Sequence, residues 1–156
     1  MNKENFRIVL YEPNIPQNTG NIIRLCSCTG CSLYLVGKLG FHLTDKYLKR
    51  AGMDYLEGVE VIKIASIKEL EEKFPENSFY YFTTKVSRKY TEANFKQGDF
   101  LVFGSETKGL PEELIFSNPE KSLTIPMLQE KRSLNLANSV AIALYEALRQ
   151  SDFLML

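Results

Sequence analysis

Apolar residues in this chain come in short runs divided by polar stretches, and two periods run through them. Phe6 to Tyr11, Leu33 to Val36, Val59 to Ile64, Phe79 to Thr83, Phe100 to Phe103 and Ser122 to Ile125 are brief and rich in β-branched or aromatic residues, the pattern of strands. Several of them stop at glycine or proline. Helical patterns lie between. Asn14-Ile-Pro-Gln-Asn-Thr-Gly-Asn leads into Ile22-Ile-Arg-Leu-Cys, where Asn14 can cap a helix, Pro16 fits its opening turn and Gly30 can end it. Asp45 to Ala51 reads as a short basic helix, Ser66 to Phe74 as a helix capped by Ser66, and Pro111 to Phe116 as a short one. Leu134 to Gln150 carries Leu136, Val140, Ala143, Leu144, Ala147 and Leu148 at three- and four-residue steps, an amphipathic helix. Val86 to Gln97 keeps neither period and reads as irregular. Strands alternating with helices predict an α/β fold, a mainly parallel sheet with helices on both faces. No linker or repeat interrupts the pattern, so residues 1–156 are expected to form a single domain.

The stretch Phe100 to Pro111 stands out. A buried strand ends at Gly104 and gives way to Ser105-Glu106-Thr107-Lys108-Gly109-Leu110-Pro111. Open α/β folds build ligand sites in such loops, outside the carboxyl ends of their strands. An ordinary connection into a helix is the competing reading. Gly20, early in a helix where it costs ~1 kcal/mol against alanine, marks a place of close packing or binding. Ile125 to Asn138 is a third polar stretch between a strand and a helix.

Composition narrows the classes. Nineteen basic and nineteen acidic side chains give no net charge, so a nucleic-acid site must be a local patch. Apolar residues make up 44% of the chain, ordinary for a soluble globular protein. The first residues lack a long apolar run behind a basic head, and nothing approaches the ~20 apolar residues of a membrane span. A cytoplasmic protein without membrane contact is expected. Cys26, Cys28 and Cys31 are odd in number and clustered, which argues against disulfides. They are read as buried small residues, and no metal is expected. His42, the lone histidine, has no nucleophile motif beside it and is read as a surface or half-buried residue. Neither G-x-G-x-x-G after the first strand nor G-x-x-x-x-G-K-[ST] occurs, which disfavours a nucleotide-dependent oxidoreductase.

Three stretches carry a resemblance: Leu10-Tyr-Glu-Pro-Asn-Ile-Pro-Gln-Asn-Thr-Gly-Asn-Ile-Ile-Arg24, Leu101-Val-Phe-Gly-Ser-Glu-Thr-Lys-Gly-Leu-Pro111, and Ile125-Pro-Met with Arg132-Ser-Leu-Asn-Leu-Ala-Asn-Ser139. In this order, over about Ile8 to Arg149, they resemble the three motifs of the SPOUT RNA methyltransferases. More narrowly, the chain is similar to the small YibK-like (TrmL) tRNA 2′-O-methyltransferases. The resemblance implies a C-terminal trefoil knot, although true knots are rare. It implies transfer of a methyl group from S-adenosylmethionine to the ribose 2′-hydroxyl of the wobble nucleotide, cytidine or a modified uridine, in the tRNA anticodon loop. It also implies a homodimer with the last helix at its interface; the pattern alone fits burial within one subunit equally well. Carried over by position, Phe82, Thr83, Gly104, Glu106, Ile125, Met127, Ser133 and Leu134 would hold the cofactor. Arg24 would be the catalytic residue, with Asn18, Asn21, Asn135 and Asn138 as a supporting polar shell. Lys49, Arg50, Lys85, Arg88, Lys108 and Arg132 are candidate RNA contacts near the same loops. Ser105 departs from the family, which often has proline there. A methyltransferase acting on another tRNA position or on rRNA, and a catalytically idle RNA-binding dimer, remain as rival readings.

Overall fold

A computed structural model describes residues 4–43, 46, 58–131 and 133–156. The helix expected over Asp45 to Ala51 falls almost wholly outside these residues. Six strands form one parallel sheet: β1 (Arg7–Tyr11), β2 (Ser32–Val36), β3 (Val61–Ile64), β4 (Phe79–Phe82), β5 (Phe100–Phe103) and β6 (Ser122–Leu123), in the order β3-β2-β1-β5-β4-β6. Four helices are described around it: α1 (Pro16–Thr29), α2 (Ile67–Lys73), α3 (Glu112–Phe116) and α4 (Leu136–Gln150). A single 3₁₀ turn, Tyr90–Glu92, lies in the stretch read as irregular.

Side chains along each strand alternate between two cores, which is why the strands read as unbroken apolar runs. Ile8, Leu10, Leu33, Leu35, Leu101 and Phe103 face α1 and α4, where Ile22, Ile23, Val140, Leu144 and Leu148 are buried. Val9, Tyr34, Val36, Phe100 and Val102 face the other side, against Ile67 and Leu70 of α2 and Ile115 of α3. Both faces are therefore covered, as expected.

Chain order places the site. From β1 the chain runs outward through α1 to β2 and β3 at one edge. It then returns to β4 on the far side, and β5 inserts between β4 and β1. Connections leaving β1 and β5 thus diverge to opposite sides, a topological switch point at the carboxyl end of the sheet.

Local sequence signals account for several of these element ends. Ser66 caps α2, its Oγ accepting from the Glu69 amide at 3.1 Å. Gly30 ends α1 in the left-handed region, φ 73°, its N–H donating to the Cys26 carbonyl at 2.8 Å. The last strand is shorter than expected, stopping at Leu123. Beyond it the ladder passes to another segment, since the Thr124 amide donates to Arg88 O and Thr124 O accepts from the Tyr90 amide. Cys26 and Cys31 are buried as expected, but Cys28 is exposed. Burial pushes the Cys31 thiol up to about 11 and that of Cys26 higher still, so neither is a ready nucleophile. His42 is exposed. Among the described residues, no three His, Cys, Asp or Glu side chains gather as metal ligands, and no helix is long and apolar enough to cross a membrane.

Candidate functional site

The carboxyl ends of β1, β4, β5 and β6 converge on a cavity of about 880 Å³. Four segments line it: the start of α1, residues 82–85 from the end of β4, residues 103–110 from the end of β5, and, after β6, Thr124, Ile125, Met127, residues 133–136 and Ser139. All eight residues expected to hold the cofactor, Phe82, Thr83, Gly104, Glu106, Ile125, Met127, Ser133 and Leu134, are on its walls. The floor is apolar, with Phe82 stacked on Phe103 at 4.6 Å between ring centroids. Hydroxyl and amide groups surround that floor, from Thr83, Thr124, Ser139, Asn18 and Asn135.

Glu106 lines the cavity, but its carboxylate is committed elsewhere. One oxygen accepts from the Asn14 amide at 2.9 Å; the other accepts from the Ile15 amide at 2.9 Å and from Asn18 Nδ2 at 3.1 Å. The expected Asn14 cap is not observed: Ile15 occupies the N-cap position of α1 and makes no side-chain bond there. A carboxylate from the β5 loop takes over that function, satisfying free amide donors at the positive end of the helix. Asn14 is used differently, its Oδ1 accepting from Thr107 Oγ1 at 3.1 Å.

Asn18 continues the chain of bonds. Its Oδ1 accepts from Asn135 Nδ2 at 3.0 Å, and Asn135 Oδ1 caps α4 by accepting from the Asn138 amide at 3.2 Å. One carboxylate and two amides thus tie the three motif stretches together across 117 residues of chain. Asn18 is 6% exposed, and its removal takes one hydrogen bond from Glu106 and one from Asn135. An Asn18→Leu variant is expected to lose about 1–2 kcal/mol, the worth of two hydrogen bonds, one of them to a carboxylate, read as a lower urea midpoint. The loss is no larger because exposed Asn135 can turn to water and Glu106 keeps both backbone amides.

The β5 loop is a tight hairpin. The Gly109 amide donates to Ser105 O at 2.9 Å, and Gly109 sits at φ 68°. Gly104 is needed for a different reason from backbone freedom. A Cβ there would lie 2.1 Å from the Gly109 carbonyl carbon and 2.2 Å from the Leu110 nitrogen. The close approach that excludes a side chain at Gly104 is therefore made by the chain itself. Where the family often has proline, Ser105 Oγ accepts from the Lys108 amide at 3.1 Å and stiffens the turn by hydrogen bonding.

Arg24 is not on this cavity. With Asn21, Leu25 and Cys28 of α1 it lines a neighbouring groove of about 560 Å³, whose other wall is Ala137, Asn138, Ala141 and Tyr145 of α4. These positions recur at three- and four-residue steps, one face of each helix. Asn135 borders both cavities. The polar shell expected from sequence is thus divided, with Asn18 and Asn135 on the large cavity and Asn21 and Asn138 beside Arg24.

The candidate RNA contacts scatter. Lys85 and Lys108 line the large cavity, and Lys85 Nζ pairs with Glu112 at 2.7 Å. Arg88 donates to the carbonyl of Glu120, away from the cavity. Lys49, Arg50 and Arg132 lie outside the described residues. Thr107, Thr124 and Ser139 were not singled out from sequence; their signal was position, each inside or beside one of the three motif stretches.

A parallel sheet with these loops at its switch point is a frame that a known family shares. Residues 5–145 match the sequence profile of the SpoU rRNA Methylase family. The chain belongs to that family. Two SpoU relatives show how close the kinship runs. A tRNA (cytidine(34)-2′-O)-methyltransferase of Methylovorus glucosotrophus is 49% identical over 149 residues, covering 95% of this chain and 97% of its own. The enzyme of the same name from Aeromonas hydrophila is 49% identical over 147 residues, covering 94% of each chain. Among solved structures, one described as giving insights into 2-OH methylation of C/U34 on tRNA superposes with a TM-score of 0.89 at 40% identity, covering 96% of this chain and 98% of that one. An AdoMet-bound rRNA methyltransferase from Sinorhizobium meliloti shares the fold at 24% identity, TM-score 0.83, with this chain spanning 57% of it.

Proposed function

We propose that this SpoU methylase transfers a methyl group from S-adenosylmethionine to the ribose 2′-hydroxyl of the wobble nucleotide, position 34, of a tRNA anticodon, in the cytoplasm. The observation that carries the reading is the cavity at the switch point, on whose walls all three motif stretches meet. Relatives nearly half identical along their full length, bearing that activity in their names, support the choice of substrate.

The cavity suits the cofactor's mixed chemistry. Phe82, Ile125, Met127 and Leu134 offer apolar surface that would suit a nucleobase, while the hydroxyls of Thr83 and Ser133 and the backbone around Gly104 would serve its polar parts. Glu106 would act at one remove, by fixing the α1 terminus through Asn14, Ile15 and Asn18. S-adenosylmethionine supplies the electrophilic methyl group. The protein must place the acceptor hydroxyl and see its proton removed.

Arg24 is proposed to orient that hydroxyl and an adjacent phosphate. A guanidinium is too basic to take the proton at neutral pH, so a phosphate oxygen or water is the acceptor. Within one chain Arg24 opens onto the groove between α1 and α4 rather than the cofactor cavity. A homodimer packed through this face, where Ile142 and Tyr145 are exposed, would let the two copies complete each site together. The 156-residue chain acts as one domain in this reading, with the trefoil knot that its fold implies.

The test is transfer from labelled S-adenosylmethionine to unfractionated tRNA, followed by nuclease digestion and mass spectrometry. A 2′-O-methylated pyrimidine mapping to position 34 is expected. Label at another position or in rRNA alone would replace the substrate, and bound cofactor with no transfer to any RNA would favour an idle binder.

A further inference from the structure

One ion pair sits at the edge of the cavity. Lys85 lines the wall, and its ammonium meets Glu112, in the first turn of α3, at 2.7 Å. The lysine's backbone is pinned, its amide donating to Thr83 Oγ1 at 3.2 Å directly after β4. The pair itself is loosely held, since the lysine side chain is 44% exposed and the glutamate 63%. Pairs in that setting gain little over separate hydrated ions and break at small cost. Among the described residues, the other charged groups lining the cavity are Glu106, already committed to α1, and Lys108. Glu113 follows Glu112 in the same turn.

We infer that Glu112 is a removable counter-ion: it holds Lys85 over the cavity in the free protein and yields it to a backbone phosphate of the RNA substrate. The inference rests on the reading of that substrate as RNA. The geometry gives each partner a reason to be where it is. A lone lysine on a four-carbon stem would lose rotamer freedom on meeting a phosphate; one already drawn toward Glu112 has lost part of it. The exchange replaces one oxyanion partner by another, so it is nearly balanced, and the ammonium is never buried without a charge beside it. The Lys85 ammonium holds the Glu112 carboxyl below the usual carboxylate range, so the glutamate is ionised at neutral pH. Glu112 also sets a threshold. An anion must present a phosphate where Lys85 can reach it before the glutamate is released, which favours RNA already seated at the cavity over loose surface binding.

Binding of unfractionated tRNA, measured by filter retention over a range of salt, tests this with Glu112→Gln, Lys85→Ala and the double variant. Glu112→Gln is expected to tighten binding about two- to fivefold at low salt. Lys85→Ala should weaken binding and flatten the slope of log K against log salt by about 0.7–0.9, the loss of one phosphate contact. In the Lys85→Ala background, Glu112→Gln should then change nothing further. S-adenosylmethionine affinity of Glu112→Gln, by calorimetry, should match the unaltered protein. Equal tightening with and without Lys85 would overturn the inference, because Glu112 would then act as a general negative field. So would an unchanged salt slope in Lys85→Ala, or no tightening in Glu112→Gln. If the unaltered protein neither binds nor methylates the tRNA, the RNA reading itself has failed, and the counter-ion role with it.

Discussion

A Gly104→Ala variant is expected to bind S-adenosylmethionine at least tenfold more weakly and to melt about 5–10 °C lower. The added methyl would sit 2.1 Å from one backbone atom and 2.2 Å from another, both in the returning arm of the hairpin. Neither is the far end of a flexible side chain, so the arm itself must move. It is poorly placed to do so. Leu110, at its end, is buried in the core on the α2–α3 side, and the Gly109 amide is held by Ser105 O. Lifting the hairpin also drags Glu106 away from the amides of Asn14 and Ile15 and from Asn18, uncapping α1. Overpacking of a rigid site costs about 1–3 kcal/mol before those bonds are counted. Gly109→Ala provides the contrast. Its Cβ would meet nothing within 4 Å, leaving only the strain of φ 68° for an L-residue, about 1–2 kcal/mol. Calorimetry and melting curves on both variants separate the cases. A Gly104→Ala protein with unaltered affinity would mean that the hairpin is not a wall of the cofactor site.

Much of this arrangement was legible in the sequence, and the part that was not has a common cause. The central strands were readable because they are buried on both faces, leaving Phe100 to Phe103 without a polar residue, whereas the edge strand β3 carries the exposed Lys63. The site loops were readable as abrupt polar breaks after those strands. Local sequence points to Asn14 as the α1 cap, the side-chain acceptor nearest the start of the helix, but Ile15 holds the N-cap position. The carboxylate that takes the role lies about ninety residues away and reaches α1 only through the pairing of β1 with β5. Separation of Arg24 from the cofactor cavity was hidden for a geometric reason. Asn18 and Arg24 belong to one motif, but six residues of helix turn them roughly 120° apart. The helix that unites them in sequence divides them in space. Ser105 shows the reverse case, since a missing family proline could be noticed from sequence but its compensation by a hydroxyl–amide bond could not.

That division makes the second large effect a sharp one. Arg24→Ala is expected to lower the methyl-transfer rate by about 10²–10³-fold, the usual loss when one positioned electrostatic donor is removed from a reacting centre. Affinity for S-adenosylmethionine should be unchanged, because Arg24 lines a groove that shares only its Asn135 border with the cofactor cavity. A variant that loses rate with cofactor affinity intact is the signature of a group acting on the acceptor. Arg24→Lys distinguishes charge from geometry. An ammonium preserves the positive field but not the planar fork that can hold a hydroxyl and a phosphate oxygen together. Its rate is therefore expected to fall at least tenfold, with RNA affinity reduced less than in Arg24→Ala. Full turnover by Arg24→Lys would sink the orienting role and leave the arginine as a simple counter-charge. The dimer adds a further readout. If one copy's Arg24 serves the cavity of its partner, mixing Arg24→Ala with Gly104→Ala protein should restore activity to some heterodimers, each with one sound cavity facing one sound arginine. If cavity and arginine act within the same chain, the mixture can restore nothing, because no single chain in it carries both.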